Sequence, residues 1–365
     1  MRYVSVSYNY SPDFNSPEGW FKRTAGYAGI FECLSQENEI ISVKQINYEG
    51  VAVHNGVQYR FVNLNRGGTH FPFKLNRYIK NLKPDVIIIQ GLHTPVQLTL
   101  LHLILNKKTK IIAHHHAEKP WQGYKKYIQR IADRFIDAYL FASHDMGLEW
   151  VKNGNMASSR KLHEVMEVSS RFYPIEKAQA KLKTSVTGDP VFLWVGRLND
   201  NKDPLNVVRA FLKYTCSNTE ARLYMIYHTD ELLAEIKELL NDHKNKGAVK
   251  LIGQIPHDEL LYWFNSADFF ISGSHYEGSG TAVCEAMSCG CIPIVTNIFS
   301  FRMITDNGQC GILYEPGNEA ALLSALMLTG EMDIQEKRDR SLEYFRSNLS
   351  FETIAKQIHE IAVSL

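Results

Sequence analysis

Along the first half of the chain, short apolar runs alternate with stretches whose apolar residues recur every three or four positions. Tyr3–Ser7, Glu39–Val43, Gln58–Phe61, Val86–Gln90, Lys110–His115 and Ala138–Ala142 have the length and composition of strands. Between them, Tyr27–Leu34, Leu75–Asn81, Val96–Leu105 and Tyr124–Phe135 carry helical spacing. Such βα alternation predicts a doubly wound sheet, because a parallel strand pair needs a crossover and a helix supplies it. The periodicity lapses between Arg171 and Pro190, in a charged Lys/Ala stretch that ends at Gly188-Asp189-Pro190. It restarts with the strand at Val191, which divides the chain into domains at 1–180 and 181–345. Two such α/β domains are expected to face each other across a cleft, with ligands at the carboxyl ends of their strands.

The second half holds the densest chemistry. Asp268–Ser272 reads as a buried strand entering the turn Glu277-Gly278-Ser279-Gly280, and Thr281–Cys289 as a helix leaving it, stopped by Gly290 and Pro293. Glycines let backbone N–H groups approach an anion, and a helix N-terminus adds partial positive charge. Glu277 stands at the mouth of the turn and Glu285 about one turn down the helix. One carboxylate can accept from the hydroxyls of one sugar and the other from a second, with phosphates between them, which is the layout a nucleotide-sugar site needs. The same stretch also reads as a broken dinucleotide fingerprint, with Val283 in place of the third glycine, or as ordinary α/β scaffolding. Upstream, the strand from Val191 opens onto Gly196-Arg197-Leu198, with Lys202 five residues beyond Arg197. A planar guanidinium and a compact ammonium so spaced suit a diphosphate clamped from two sides, and each alone reads equally as a loop cation.

From Glu277 to Pro293 the segment resembles the E-x7-E signature of family 4 retaining glycosyltransferases, with Ser279 where that family commonly has an aromatic residue. The stretch Val195-Gly196-Arg197-Leu198 followed by Lys202 resembles the family's V-G-R-L-x-x-x-K-G, with Asp203 in the glycine position. Val249–Leu260 and Asp306–Asn318 are similar to two further segments; in the family the backbone of the first, here at Ile255, borders the nucleotide base. After Leu223–Tyr227 the family's Gly-x-Gly is replaced by Tyr227-His228-Thr229. The resemblance implies the GT-B architecture of two Rossmann-like domains, with 346–365 a terminal helix crossing back to the first. It also implies a retaining, metal-independent transfer from a UDP- or GDP-sugar to an acceptor hydroxyl, in polysaccharide or glycolipid assembly. Arg197, Lys202 and the backbone of Gly278, Ser279, Gly280 and Thr281 would then stabilise charge on the leaving diphosphate, with Gly196 beside them. Glu277 would hold hydroxyls of the donor sugar and Glu285 those of the ribose. Gly26, in a worn Ala25-Gly26 pair, would lie near the donor phosphates. His116, last of His114-His115-His116, would face the transferred sugar. Other readings are a phosphorylase or epimerase of the same fold, a nicotinamide-dependent oxidoreductase and a non-catalytic scaffold. No Asp-x-Asp occurs, so no metal site is expected, and no cofactor apart from the donor itself.

At 365 residues and 45% apolar, the chain is large enough for two cores. Its six scattered cysteines read as reduced, and Cys289-Gly290-Cys291 has no second pair to complete a zinc site. The amino terminus alternates like a strand rather than carrying a signal-peptide apolar region, and Pro95–Asn106 is too short to span a bilayer. A cytoplasmic protein is expected. The net charge of +1 hides an asymmetry: residues 1–175 hold 22 Lys/Arg against 14 Asp/Glu, and the remainder 18 against 25. A basic first half suggests an anionic partner there, a membrane surface or an acidic lipid-linked or polymeric acceptor rather than nucleic acid. Trp121–Phe135 sharpens the point, with Trp121, Tyr124, Tyr127 and Ile131 as an apolar stripe among Lys125, Lys126, Arg130 and Arg134. Such a helix lies on a membrane interface at the inner face, or turns the stripe to the core and its cations to solvent.

Overall fold

The computed structural model describes residues 1–24, 27–64, 72–241 and 243–365, so Gly26 lies outside the described residues. The chain divides into two compact units, Met1–Ser169 with Phe351–Leu365, and Ser170–Ser350.

The first unit is built on β1 (Arg2–Ser11), β2 (Glu39–Ile46), β3 (Gly50–His54), β4 (Val57–Val62), β5 (Val86–Gln90), β6 (Lys110–His114), β7 (Ala138–Phe141) and β8 (Leu162–Glu164). They form one sheet in the order β3-β4-β2-β1-β5-β6-β7-β8, parallel except for the antiparallel β3–β4 hairpin. The hairpin turns on Asn55-Gly56, whose φ angles of 47° and 81° give the two-residue loop that matches strand twist. Helices cover the central strands, so Val86–Ile89 is buried throughout and reads as continuous rather than alternating apolarity. The helix Phe351–Ser364 completes this unit against the helix Gly29–Leu34. A Cβ on Gly29 would come within 2.5 Å of the Phe351 ring, so only glycine permits the approach. Tyr3 Oη, on β1, lies 2.8 Å from Nδ1 of His359 and ties the same helix to the sheet.

The second unit carries β9 (Val191–Gly196), β10 (Arg222–Tyr227), β11 (Val249–Gly253), β12 (Phe269–Ser272), β13 (Ile292–Thr296) and β14 (Ile312–Tyr314). All are parallel, in the order β11-β10-β9-β12-β13-β14. Phe192 and Phe269 stack at 5.1 Å in a core that also takes in Trp194, Phe211 and Tyr214. Complete burial of each such ring contributes about 1.5–3 kcal/mol.

The division between units falls at Ser169/Ser170 and Ser350/Phe351, not at 180/181 and 345/346. The charged helix Lys177–Thr184 belongs with the second unit because it packs on Leu260–Ser266, and Lys177 pairs with Asp268 at the start of β12. Residues 345–349 stay there as well, against the helix Thr281–Ser288.

Winding reverses between β9 and β12. β9 pairs with β10 along six residues, but with β12 only at Phe192/Phe269 and Leu193/Phe270. Beyond those two pairs the carboxyl ends of β9 and β12 part, and a crevice opens at the switch point, as expected for an open α/β sheet.

Candidate functional site

A cavity of about 480 Å³ fills that crevice, with Val195 and Gly196 of β9, Ile226 and Tyr227 of β10, and Phe270 and Ser272 of β12 in its lining. Every lining residue lies in the second unit. Gly196, Arg197, Lys202, Ile255, Glu277, Gly280, Thr281 and Glu285, all named from the sequence, are among them.

Arg197 follows directly on β9 and is exposed, with no ion pair or hydrogen-bond partner for its guanidinium among the described residues. Lys202 closes the following short 3-10 turn, which Asn199 caps by accepting from the Lys202 N–H at 3.1 Å. The Lys202 ammonium is paired with the Glu277 carboxylate. Asp203 adopts φ 47°, the left-handed region, which accounts for a glycine preference at this position. Aspartate is tolerated because its Oδ2 accepts from Asn206 at 3.1 Å and lies 3.4 Å from His275 Nε2.

Gly280 caps the helix Thr281–Ser288 at φ 63°. A Cβ there would sit 2.6 Å from the Phe301 ring, so both backbone and space require glycine. Intrahelical bonding begins with Val283 N–H to the Gly280 carbonyl at 2.9 Å. The amides of Thr281 and Ala282, which precede it and line the cavity, are left for an anion. Gly278 and Ser279 come before the left-handed turn, are buried and are not among the cavity's lining residues, whereas Gly280, Thr281 and Ala282 are.

Glu285 lies one turn further along, its side chain 7% exposed, and Oε1 accepts from His257 Nε2–H at 2.7 Å. The carboxylate raises the pKa of His257 above its ordinary value, against a smaller opposing effect of burial. Nothing local in the sequence marks His257 as part of the site. Tyr227 and His228, which stand where the resembled family has Gly-x-Gly, line the cavity, and Thr229 turns inward to accept from the Leu198 N–H at 2.8 Å.

His116 belongs to the first unit, just past β6. Its Nδ1 pairs with Glu167, its Nε2 lies 2.7 Å from Gln90 Oε1, and its backbone N–H donates to Glu118 at 2.7 Å. Glu118 also accepts from the Leu92 N–H at 2.8 Å, so one carboxylate braces the ends of β5 and β6. Gln90, Glu118 and Glu167 escaped the sequence reading because each is a lone polar residue at or beyond a strand end. His114 is buried, and burial drives its pKa down to about 3, so it stays neutral and serves as packing.

The helix Lys125–Ala132 buries Gln129 and Ala132 and leaves Tyr124, Tyr127 and Ile131 exposed at 72%, 62% and 52%. Its apolar stripe therefore faces outward, with Lys125 over Trp121 and Lys126 over Tyr127 at 5.7 and 5.3 Å. Among the described residues no helix is long and apolar enough to cross a membrane, and no group of three or more His, Cys, Asp or Glu is placed to hold a metal ion.

Residues 176–346 match the family model described as glycosyl transferases group 1. The Campylobacter jejuni N-acetylgalactosamine-N,N'-diacetylbacillosaminyl-diphospho-undecaprenol 4-alpha-N-acetylgalactosaminyltransferase is 25% identical over 271 residues, 71% of each chain. Alpha-monoglucosyldiacylglycerol synthase of Acholeplasma laidlawii is 21% identical over 269 residues, 67% of each. Among solved structures, a glycosyltransferase from Rickettsia africae superposes with a TM-score of 0.75 at 16% identity, covering 100% of this chain and 97% of its own. Anabaena HepE in complex with UDP gives 0.75 at 13% identity, covering 100% of both. These two share the fold, a pair of Rossmann-like units of the GT-B type. Over residues 176–346 the chain is thus similar to the group 1 glycosyltransferases, and its relatives are enzymes that move a sugar from an activated donor to an acceptor.

Proposed function

We propose that the protein transfers a sugar from a UDP- or GDP-sugar to a hydroxyl of a glycan or lipid-linked acceptor, retaining anomeric configuration and using no metal ion. One observation carries this reading. Glu277, paired with Lys202, and Glu285, hydrogen-bonded to His257, line a single cavity, with the open amides of Thr281 and Ala282 in the same lining. Arg197 and Lys202 supply the positive charge that offsets the leaving diphosphate, where other enzymes use a divalent ion. When Lys202 swings to phosphate, Glu277 is released to accept from the donor-sugar hydroxyls. Glu285 accepts from the ribose. Ile255, Tyr227 and His228 border the base, and His116, held by Gln90 and Glu167 in the first unit, is the residue that the family resemblance assigns to the transferred sugar.

A lipid-linked acceptor is supported by the relatives' names, one a transferase onto a diphospho-undecaprenol-linked sugar and the other a glucosyldiacylglycerol synthase. The outward stripe of Tyr124, Tyr127 and Ile131 amid lysines supports peripheral docking on an anionic inner membrane face. The deciding experiment screens UDP- and GDP-sugars for slow donor hydrolysis in excess chelator and follows the first-formed anomer by NMR. Hydrolysis of one donor with retained configuration is expected. An inverted product, or no hydrolysis of any donor, overturns the reading.

A further inference from the structure

The donor cavity contains a charge relationship that neither motif describes. Glu285 is nearly buried, and a carboxylate in that setting is costly unless paired. Its Oε1 is taken by His257 at 2.7 Å, whereas Oε2 has no hydrogen-bond partner among the described residues. His257 opens the 3-10 turn His257–Glu259 that follows β11, 28 residues before its partner. Its ring stacks on Phe172 with centroids 5.3 Å apart and planes inclined by 30°, and Phe172 rests in turn against Phe264 at 6.1 Å. Stacking and the hydrogen bond together restrict the imidazole to one orientation, and the imidazole in turn restricts the carboxylate.

We propose that His257 is a positioning residue of the donor site, holding Glu285 so that one carboxylate oxygen is committed to the protein and the other is presented to the ribose. Protonated, His257 also cancels the negative charge of Glu285 in a cavity that must admit an anionic diphosphate. This inference rests on the reading of Glu285 as the ribose acceptor. Among the described residues, the charged groups acting on His257 are Glu285 and Asp258, both acidic, and Phe172, stacked on its ring, carries no charge. Both carboxylates favour the imidazolium, so the charged form persists to higher pH than in a free histidine. Donor affinity is therefore full below that raised pKa and declines as pH rises through it.

The test titrates UDP, GDP, their 2′- and 3′-deoxy analogues and one UDP- and one GDP-sugar into wild type, His257→Asn, His257→Phe and Glu285→Gln, from about pH 6 to 9, a range that spans histidine titration. The sugar nucleotides matter because their phosphates do not titrate there. Wild type should bind one nucleotide series with affinity that falls as pH rises. His257→Phe keeps a ring for Phe172 but should bind roughly tenfold more weakly at low pH, the scale of a hydrogen bond to a charged group. It should also lose the pH slope and much of the preference for ribose over the deoxy analogues. His257→Asn, which retains a donor without the charge, should recover ribose preference but not the slope. Wild-type affinity, slope and ribose preference in both His257 variants overturn the inference, while a loss in Glu285→Gln keeps the ribose reading. Unchanged binding by Glu285→Gln, or no nucleotide binding by wild type, overturns the ribose reading itself.

Discussion

Lys202 and Glu277, 75 residues apart in the chain, form an ion pair in the lining of the cavity at the β9/β12 switch point. A diphosphate that takes the ammonium leaves the carboxylate uncompensated, and donor-sugar hydroxyls are then its available partners. In the proposed function, phosphate capture and sugar capture become one exchange. Replacing Lys202 or Arg197 by alanine should lower turnover by roughly 10²-fold, the scale for losing one preorganised charge-stabilising group. Arg197 is exposed and Lys202 half-buried, both in the connection after β9 and outside the core, so melting temperature should hold. Near wild-type kcat in either variant removes that residue from the clamp.

The two glutamates should fail differently. Glu277→Gln is expected to slow sugar transfer far more than it weakens nucleoside diphosphate binding, because its partner in the ligand is the sugar. Glu285→Ala should weaken the free nucleotide itself. Calorimetry with the nucleoside diphosphate on both variants separates them, and equal losses of affinity would dissolve the assignment.

Gly280→Ala should be damaging out of proportion to one methyl group. The residue would have to hold φ 63° with its Cβ 2.6 Å from the Phe301 ring. Strain of this kind costs on the order of 1–3 kcal/mol, and relieving it re-aims the amides of Thr281 and Ala282. A lower melting temperature together with weaker nucleotide binding is the expected pair of observations. A variant that melts and binds as wild type does would show that the turn is not under this constraint.

Activity should persist in excess EDTA, since Arg197, Lys202 and a helix N-terminus supply the positive charge the diphosphate needs. Loss of turnover in chelator, restored by magnesium or manganese, would refute metal independence.

How much of this was legible beforehand depended on whether the cause was local. The turn at Gly280 was, because an apolar strand, a glycine and a helix follow one another within a few residues. So were Arg197 and Lys202, which are set by the strand before them. His257 was not: a single histidine after a strand carries no sign that its partner lies 28 residues on. The helix Lys177–Thr184 looked like a linker because its composition is charged, whereas its place is fixed by Asp268, which is 91 residues away. The strand Gly50–His54 was passed over although Asn55-Gly56, the strongest short hairpin signal, stands in the sequence. The outward stripe of Tyr124, Tyr127 and Ile131 follows a period that fits a core-facing helix equally well; only the burial of Gln129 and Ala132 decides the direction.

That outward stripe leads to a further expectation. Acidic liposomes should bind the protein at low salt and release it as salt rises, each engaged cation contributing about 1 kcal/mol. Serine at Tyr124, Tyr127 and Ile131, or glutamine at Lys125 and Lys126, should weaken binding in a flotation assay while donor hydrolysis continues. No binding at low salt would point to a soluble acceptor.

The return of Phe351–Ser364 to the first unit has a consequence for how the protein is made. The second unit is one uninterrupted stretch, Ser170–Ser350, and has all its residues in hand before the ribosome reaches Phe351. The first unit, though begun earlier, waits through that whole stretch with the helix at Gly29 uncovered and Tyr3 without its histidine. Synthesis order and completion order are thus opposite. The half begun first is the last to be finished.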